Sequence, residues 1–173
     1  MAIQPRYNAL VEGYIALGSN LGDRAVHLRA GIDGLAAAGI RVTAESSVWE
    51  TEPVDSPEPL AFLNMVVRVE TELGPLGVLD RMHAIERRAG RGDAPRNAPR
   101  VLDLDLLLLG DLRCDGPRLT LPHPRMWERR FVLEPLAQIA PALRDARSGR
   151  TLVEASRAIE RASWVRRIGP LAR

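Results

Sequence analysis

Lysine is missing from this chain: all 24 basic residues among its 173 are arginine. That excludes a phosphate-loop lysine, a Schiff-base lysine and a lysine general base. Any phosphate charge must then be met by arginine, histidine, metal or backbone N–H groups. Cysteine is nearly absent, with Cys114 alone in a turn-like stretch from Asp111 to Pro117, which excludes an internal disulfide framework and a cysteine-cluster zinc site. Aromatic residues are only 4%, and just two are phenylalanine, Phe62 and Phe131. No apolar run approaches the roughly 20 residues of a membrane span, and Met1 to Gly13 lacks the apolar centre of a secretion signal, so the chain is expected in the cytoplasm. Its formal charge of +2 is too small to imply nucleic-acid binding. The length predicts one domain, large enough to bury about two-thirds of its unfolded surface.

What is present centres on Arg100-Val101-Leu102-Asp103-Leu104-Asp105-Leu106-Leu107-Leu108-Leu109. An apolar run closed by Gly110-Asp111 reads as a buried strand. Strand side chains alternate, so Asp103 and Asp105 share a face, roughly 6–7 Å apart along the chain. Ionised and unpaired in a core they would be costly, so a divalent metal or a ring of arginines should lie between them. Arginine is close by. Arg87, Arg88, Arg91, Arg96 and Arg100 stand against only Glu86 and Asp93, among Gly90, Gly92, Pro95 and Pro99. Such punctuation marks a loop, and its charge an anion site. Carboxylates beside an arginine loop suggest a metal–polyphosphate, because magnesium is commonly held by one or two carboxylates plus substrate phosphates.

Along the chain, Tyr14–Leu17 reads as a short strand followed by Gly18-Ser19-Asn20-Leu21-Gly22, a turn that fits neither the Rossmann nor the Walker spacing. A helix follows from about Asp23, with Leu28, Ile32 and Leu35 at helical spacing and Gly39 at its end. Ile40 to Trp49 alternates as a second strand, and Pro53, Pro57 and Pro59 then make a semi-rigid loop. Leu63 to Glu70 is a third strand, with Leu63, Met65, Val67 and Val69 on one face and Asn64, Val66 and Arg68 on the other. Gly74-Pro75 opens a second helix, Asp103 to Leu109 is the fourth strand, and Phe131 to Ile139 a short helix. A terminal helix is expected over about 151–166, from the stripe Leu152, Ala155, Ile159 and Ala162. The order βαββαβ predicts an α+β, ferredoxin-like fold: an antiparallel sheet with two helices on one face and the other face free for ligand or for the remaining chain.

These segments together resemble the 6-hydroxymethyl-7,8-dihydropterin pyrophosphokinase family. The resemblance is carried by Tyr14–Gly22, Ser46-Ser47-Val48-Trp49-Glu50-Thr51-Glu52-Pro53, Phe62-Leu63-Asn64, Pro99–Asp105, Leu121-Pro122-His123-Pro124-Arg125-Met126 and Glu128–Leu136, running from Tyr14 to about Pro141. It implies transfer of pyrophosphate from ATP to the pterin hydroxymethyl group, with AMP released, in folate synthesis. It further implies two Mg2+ ions on Asp103 and Asp105, and Arg91 and Arg100 as catalytic groups beside them. ATP would be bound by Glu86, Arg91, Arg96, Arg100, Leu106, His123 and Arg129. The pterin would be bound by Thr51, Pro53, Val54 and Asn64, its ring between Phe62 and Phe131, since a flat bicycle wants aromatic faces and a few fixed polar groups. The chain is expected to act as a monomer on small molecules, without nucleic acid or membrane.

The chain departs from the family pattern at Glu52, where a proline is frequent, at Asn97, where a tryptophan is frequent, at Asp93 in a loop about one residue shorter, and at Pro124. Two other classes compete. A non-catalytic ferredoxin-like nucleotide-binding relative would share the sheet, but RNA-binding versions stack bases on strand aromatics that are few here. An Asp-x-Asp glycosyltransferase would need a longer α/β chain.

Overall fold

The computed structural model describes residues 6–52, 60–90, 100–159 and 164–172. Its elements are β1 (Arg6–Ser19), α1 (Arg24–Ala37), β2 (Arg41–Glu45), β3 (Val48–Thr51), β4 (Phe62–Leu73), α2 (Pro75–Arg88) and β5 (Asp103–Leu109). They continue with the two-residue strands β6 (Cys114–Asp115) and β7 (Thr120–Leu121), then α3 (Arg130–Ile139), α4 (Leu152–Ala158) and β8 (Val165–Gly169). The main sheet runs β5-β1-β4-β3-β8, with β2 also pairing β4, and every pairing is antiparallel. This is the ferredoxin-like order expected, with additions at the C-terminal end. Among the described residues, no helix is long and apolar enough to cross a membrane.

One face of the sheet is filled as the alternation requires. Ile15 and Leu17 of β1, Met65, Val67 and Val69 of β4, and Leu104 and Leu106 of β5 pack against Leu28, Ile32 and Leu35 of α1 and Val78, Met82 and Ile85 of α2. Asp23 caps α1 by accepting the Val26 N–H at 3.1 Å, and Pro75 opens α2 where its missing N–H costs nothing. The opposite face is half covered: Tyr14, Val66 and Leu107 pack with Val132, Leu133 and Leu136 of α3 and Leu152 and Ala155 of α4. A bulge lies on this face. Tyr14 pairs with Leu108 but Ile15 with Leu106, so Leu107 is an extra residue turned toward α3.

The structure differs from the sequence expectations in three places. The first strand is longer than Tyr14–Leu17, reaching back to Arg6 because residues 11–13 continue the ladder with β4. The second strand is two strands, because Ser46 interrupts it: its Oγ accepts the Val66 N–H at 2.9 Å and donates to the Ser47 carbonyl at 2.8 Å. The terminal helix over 151–166 is corrected to Leu152–Ala158: Ile159 takes an extended conformation, and Val165–Gly169 forms a strand on β3.

The edge position of β5 leaves main-chain donors unpaired, and α2 supplies one partner. The Leu104 N–H donates to Glu86 Oε1 at 2.8 Å, and Glu86 is only 1% exposed. Glu86→Ala is therefore expected to lower unfolding stability by about 1–3 kcal/mol, read from urea denaturation of the ligand-free protein. Unchanged stability would contradict this bracing role.

Candidate active site

Three strands bring the predicted residues into one row. Gly18 of β1 pairs with Asp103 of β5 on one side and with Asn64 of β4 on the other, and Asn64 pairs in turn with Trp49 of β3. Residues in register share a face, so Asp103, Asn64 and Trp49 stand on the side opposite α1 and α2. Ala16 pairs with Asp105, which puts the second carboxylate on the same face one step along β5. Adjacent strands lie about 4.8 Å apart, so the Asp103 and Asn64 backbones are roughly 10 Å apart across Gly18.

Each carboxylate already has an arginine. Arg100 Nη1 donates to Asp103 Oδ1 at 2.8 Å, and Arg129 Nη1 donates to Asp105 Oδ2 at 3.2 Å. The Arg129 guanidinium also lies 5.6 Å from the centroid of the Phe131 ring. One cation thus joins the carboxylate side of the site to one of the two phenylalanines. Asp103 and Asp105 keep 25% and 37% of their side-chain surface exposed, so an incoming cation could reach both. Among the described residues no three acidic, histidine or cysteine side chains cluster into a metal cage. A pair of carboxylates without a cage fits magnesium brought in on phosphates, which completes its octahedron with phosphate and water oxygens.

His123 flanks this side. Its N–H donates to the Leu107 carbonyl at 2.9 Å, which tethers the Pro122–Pro124 turn to the edge of β5. Burial pushes its imidazole pKa below the usual value, and the nearby Asp105 carboxylate only partly opposes this. Its Nδ1 accepts the Arg125 N–H at 3.2 Å, so the neutral ring carries its proton on Nε2.

On the other side Asn64 Nδ2 donates to Thr51 Oγ1 at 2.8 Å, both residues being buried. Asn64 Oδ1 occupies the space above Gly18, where a Cβ would come within 2.9 Å of it and 3.8 Å from the Phe62 ring. Thr51 pairs with Phe62, closing the group. The structure therefore joins Thr51, Phe62 and Asn64, and joins Asp103, Asp105, Arg100, Arg129, His123 and Phe131. Leu106 has its side chain in the core, so only its main chain, two residues beyond the edge-facing Leu104 N–H, is turned toward the sheet edge. Glu86 serves the same edge from beneath. Arg91, Arg96, Pro53 and Val54 lie outside the described residues, as do Asp93 and Asn97.

Two residues escaped the sequence reading. Gly18 matters through the side chain it lacks. Asn20 donates its N–H to the Arg100 carbonyl at 3.1 Å and accepts the Arg100 N–H on Oδ1 at 2.6 Å, fixing the residue that holds Asp103. The Gly-Ser-Asn turn after an apolar strand was the available signal, but its spacing matched no phosphate loop. Among the described residues, Ser19 Oγ, Asn20 Nδ2 and Trp49 Nε1 are buried with no hydrogen-bond partner. Buried donors of this kind have to be satisfied by something, and all three belong to the ends of β1 and β3 around the row.

A ferredoxin-like sheet with paired carboxylates, charge-matched arginines and a polar-aromatic recess along one row defines an α+β enzyme of phosphorus-group transfer. The 7,8-dihydro-6-hydroxymethylpterin-pyrophosphokinase family model matches residues 14–141, and the chain belongs to that family. A 2-amino-4-hydroxy-6-hydroxymethyldihydropteridine pyrophosphokinase of Bacillus subtilis is 42% identical over 154 residues, 88% of this chain and 92% of that protein. One of Methylorubrum extorquens is 43% identical over 135 residues, covering 78% and 85%. A mitochondrial folate synthesis bifunctional protein of Arabidopsis thaliana is 44% identical over 128 residues, but this chain spans only 23% of its length. Among solved structures, a Plasmodium falciparum HPPK-DHPS with pterin and p-hydrobenzoate aligns at a TM-score of 0.67 and 15% identity, over 87% of this chain and 44% of that one, and shares the fold.

Gly18→Ala is expected to push the Asn64 amide aside, raising the pterin KM roughly ten-fold while the ATP KM moves little. Steady-state kinetics with each substrate varied in turn checks this, and equal shifts in both constants would contradict the assignment of Asn64 to the pterin side.

Proposed function

We propose that the Asp103–Gly18–Asn64 row is where this chain transfers pyrophosphate from ATP to the hydroxymethyl group of 6-hydroxymethyl-7,8-dihydropterin. The register that puts the carboxylates and the Asn64 recess on either side of a bare glycine carries this reading. The whole chain is taken to act as one pyrophosphokinase domain and as a monomer. Thr51, Phe62, Asn64 and Phe131, with Pro53 and Val54, would bind the pterin, the buried amide and hydroxyl setting its edge and the phenylalanines its faces. Arg100, Arg129 and His123, with Glu86, Arg91, Arg96 and the Leu106 main chain, would bind ATP.

In this arrangement the pterin hydroxyl oxygen attacks the β-phosphorus in line, its proton passing to solvent, the bond from that phosphorus to the oxygen bridging it to the α-phosphorus breaks, and AMP leaves. Two Mg2+ ions on Asp103 and Asp105 would neutralise the triphosphate and orient the attacking and leaving oxygens. The protein's share is positioning and charge. Arg129, which meets Asp105 in the ligand-free chain, would be able to turn toward phosphate while staying against Phe131. A neutral His123 would donate from Nε2 to a phosphate oxygen without adding a repelling charge beside the metal. Phosphoryl-type transfer asks for no nucleophile from the protein, which agrees with the absence of lysine.

The direct test is AMP formation by the purified protein from ATP, Mg2+ and the pterin alcohol, with controls that omit the pterin or chelate the metal. Pterin- and Mg2+-dependent AMP is expected; ATP binding without AMP would favour the non-catalytic relative. Asp105→Ala is expected to lower turnover by a factor on the order of 10³ or more, since it removes a metal-holding group that matters most in the transition state. Its melting temperature should shift by only a few degrees, because a partly exposed ion pair contributes about 0–1 kcal/mol. Full turnover in this variant would contradict the metal-holding role.

A further inference from the structure

The pterin side of the site is built on the last rungs of two strands. Thr51 and Phe62 form the final pair between β3 and β4, with chain leaving after Glu52 and returning before Leu60. Among the described residues, the β3–β4 ladder has no pair beyond this one. Strand ends fray unless something fastens them.

On the reverse side of these rungs stands Arg24, the first residue of α1. Glu50 pairs with Leu63, and both project toward the helices, opposite Thr51, Phe62 and Asn64. Arg24 Nη2 donates to Glu50 Oε1 at 3.1 Å, and Nη1 donates to the Ala61 carbonyl at 2.8 Å. One guanidinium therefore grips the end of β3 and the start of β4 together. Its planar fork suits two acceptors at once, which a lysine ammonium on a flexible stem would not hold in fixed geometry. The grip is partly sheltered, with Arg24 30% and Glu50 15% exposed in their side chains.

Glu50 has a second cation. Arg166 of β8 bonds its other oxygen, and these two arginines hold the Glu50 carboxyl below the usual carboxylate range. The same strand end is also tied through Glu52, whose N–H donates to the Trp164 carbonyl at 3.3 Å and whose Oε2 accepts the Trp164 N–H at 3.3 Å. The residue that departs from the family's frequent proline thus joins the fastening.

We propose that Arg24, through Glu50 and the Ala61 carbonyl, is a positioning residue for the pterin substrate. It acts from behind the sheet by fixing where Thr51, Phe62 and Asn64 stand, and it touches neither substrate. The proposal rests on the assignment of those three residues to the pterin. The carboxylate side of the site hangs on β1 and β5, which Arg24 does not grip.

The test is a kinetic comparison of R24A, R24K and N64A with both substrates varied, beside thermal melting. Arg24→Ala leaves a good helix former at the start of α1. The expected result is a pterin KM raised about ten-fold in R24A and less in R24K, an ATP KM within about two-fold of the parent, and a melting temperature within a few degrees. A parent-like pterin KM in R24A beside a raised one in N64A overturns the proposal, as does an equal rise in both KM values. A parent-like pterin KM in R24A and N64A alike overturns the assignment of the pterin residues, and the proposal with it. Should R24A fail to fold, R24K decides: a raised pterin KM at parent-like melting supports the grip, and a parent-like KM overturns it.

Discussion

The site depends on one close approach, that of the Asn64 amide to the backbone of Gly18. β1 is the central member of a three-strand row, and any side chain at position 18 would fill the space that Asn64 Oδ1 occupies. With glycine there, Asn64 lies over β1, bonded to Thr51 and facing the strand that carries Asp103 on its far side. Strand spacing then sets the separation between the backbones of the polar recess and of the carboxylates at about 10 Å. The chemistry asks mainly for two substrates held in line, and a sheet is a rigid way of setting that distance.

The second constraint is electrostatic. Two carboxylates on one strand face are compatible with folding because Arg100 and Arg129 meet them in the ligand-free chain. These arginines are also the groups suited to phosphate. In the proposed complex, metal and nucleotide would take over the balance that these arginines supply in the ligand-free chain. Placing β5 at the edge makes its main chain reachable from the side, and the buried Glu86 and the His123 turn occupy part of that edge. The same edge that would be a liability in a free strand is thus partly closed and partly available for a ligand.

Much of this was legible in the sequence. The alternation in Leu63–Glu70 and Asp103–Leu109 announced which residues share a face, and the packing follows it, with Asn64 and the aspartates opposite the helix-covered residues. The first two helices were readable from Asp23, Pro75 and their apolar spacing. The C-terminal strand was not, because Leu152, Ala155 and Ile159 continue a helical stripe while the pairing of Val165–Gly169 depends on a distant partner, β3. The division at Ser46 was hidden for a similar reason: a hydroxyl that replaces a ladder bond leaves no period in the sequence. Gly18, Asn20 and Arg24 act through neighbours far along the chain, so their roles appear only once the strands are in register.

The most direct measurement of the central claim is the distance from metal to pterin in the ternary complex. Mn2+ replaces Mg2+ on a non-hydrolysable ATP analogue, and the paramagnetic broadening of the bound pterin's proton resonances is recorded. Strong broadening is expected, greatest at the hydroxymethyl protons, falling off with distance across the ring, and lost in Asp103→Asn/Asp105→Asn. Broadening that is absent, or that persists unchanged in that double variant, would contradict a site built on the Asp103–Gly18–Asn64 row.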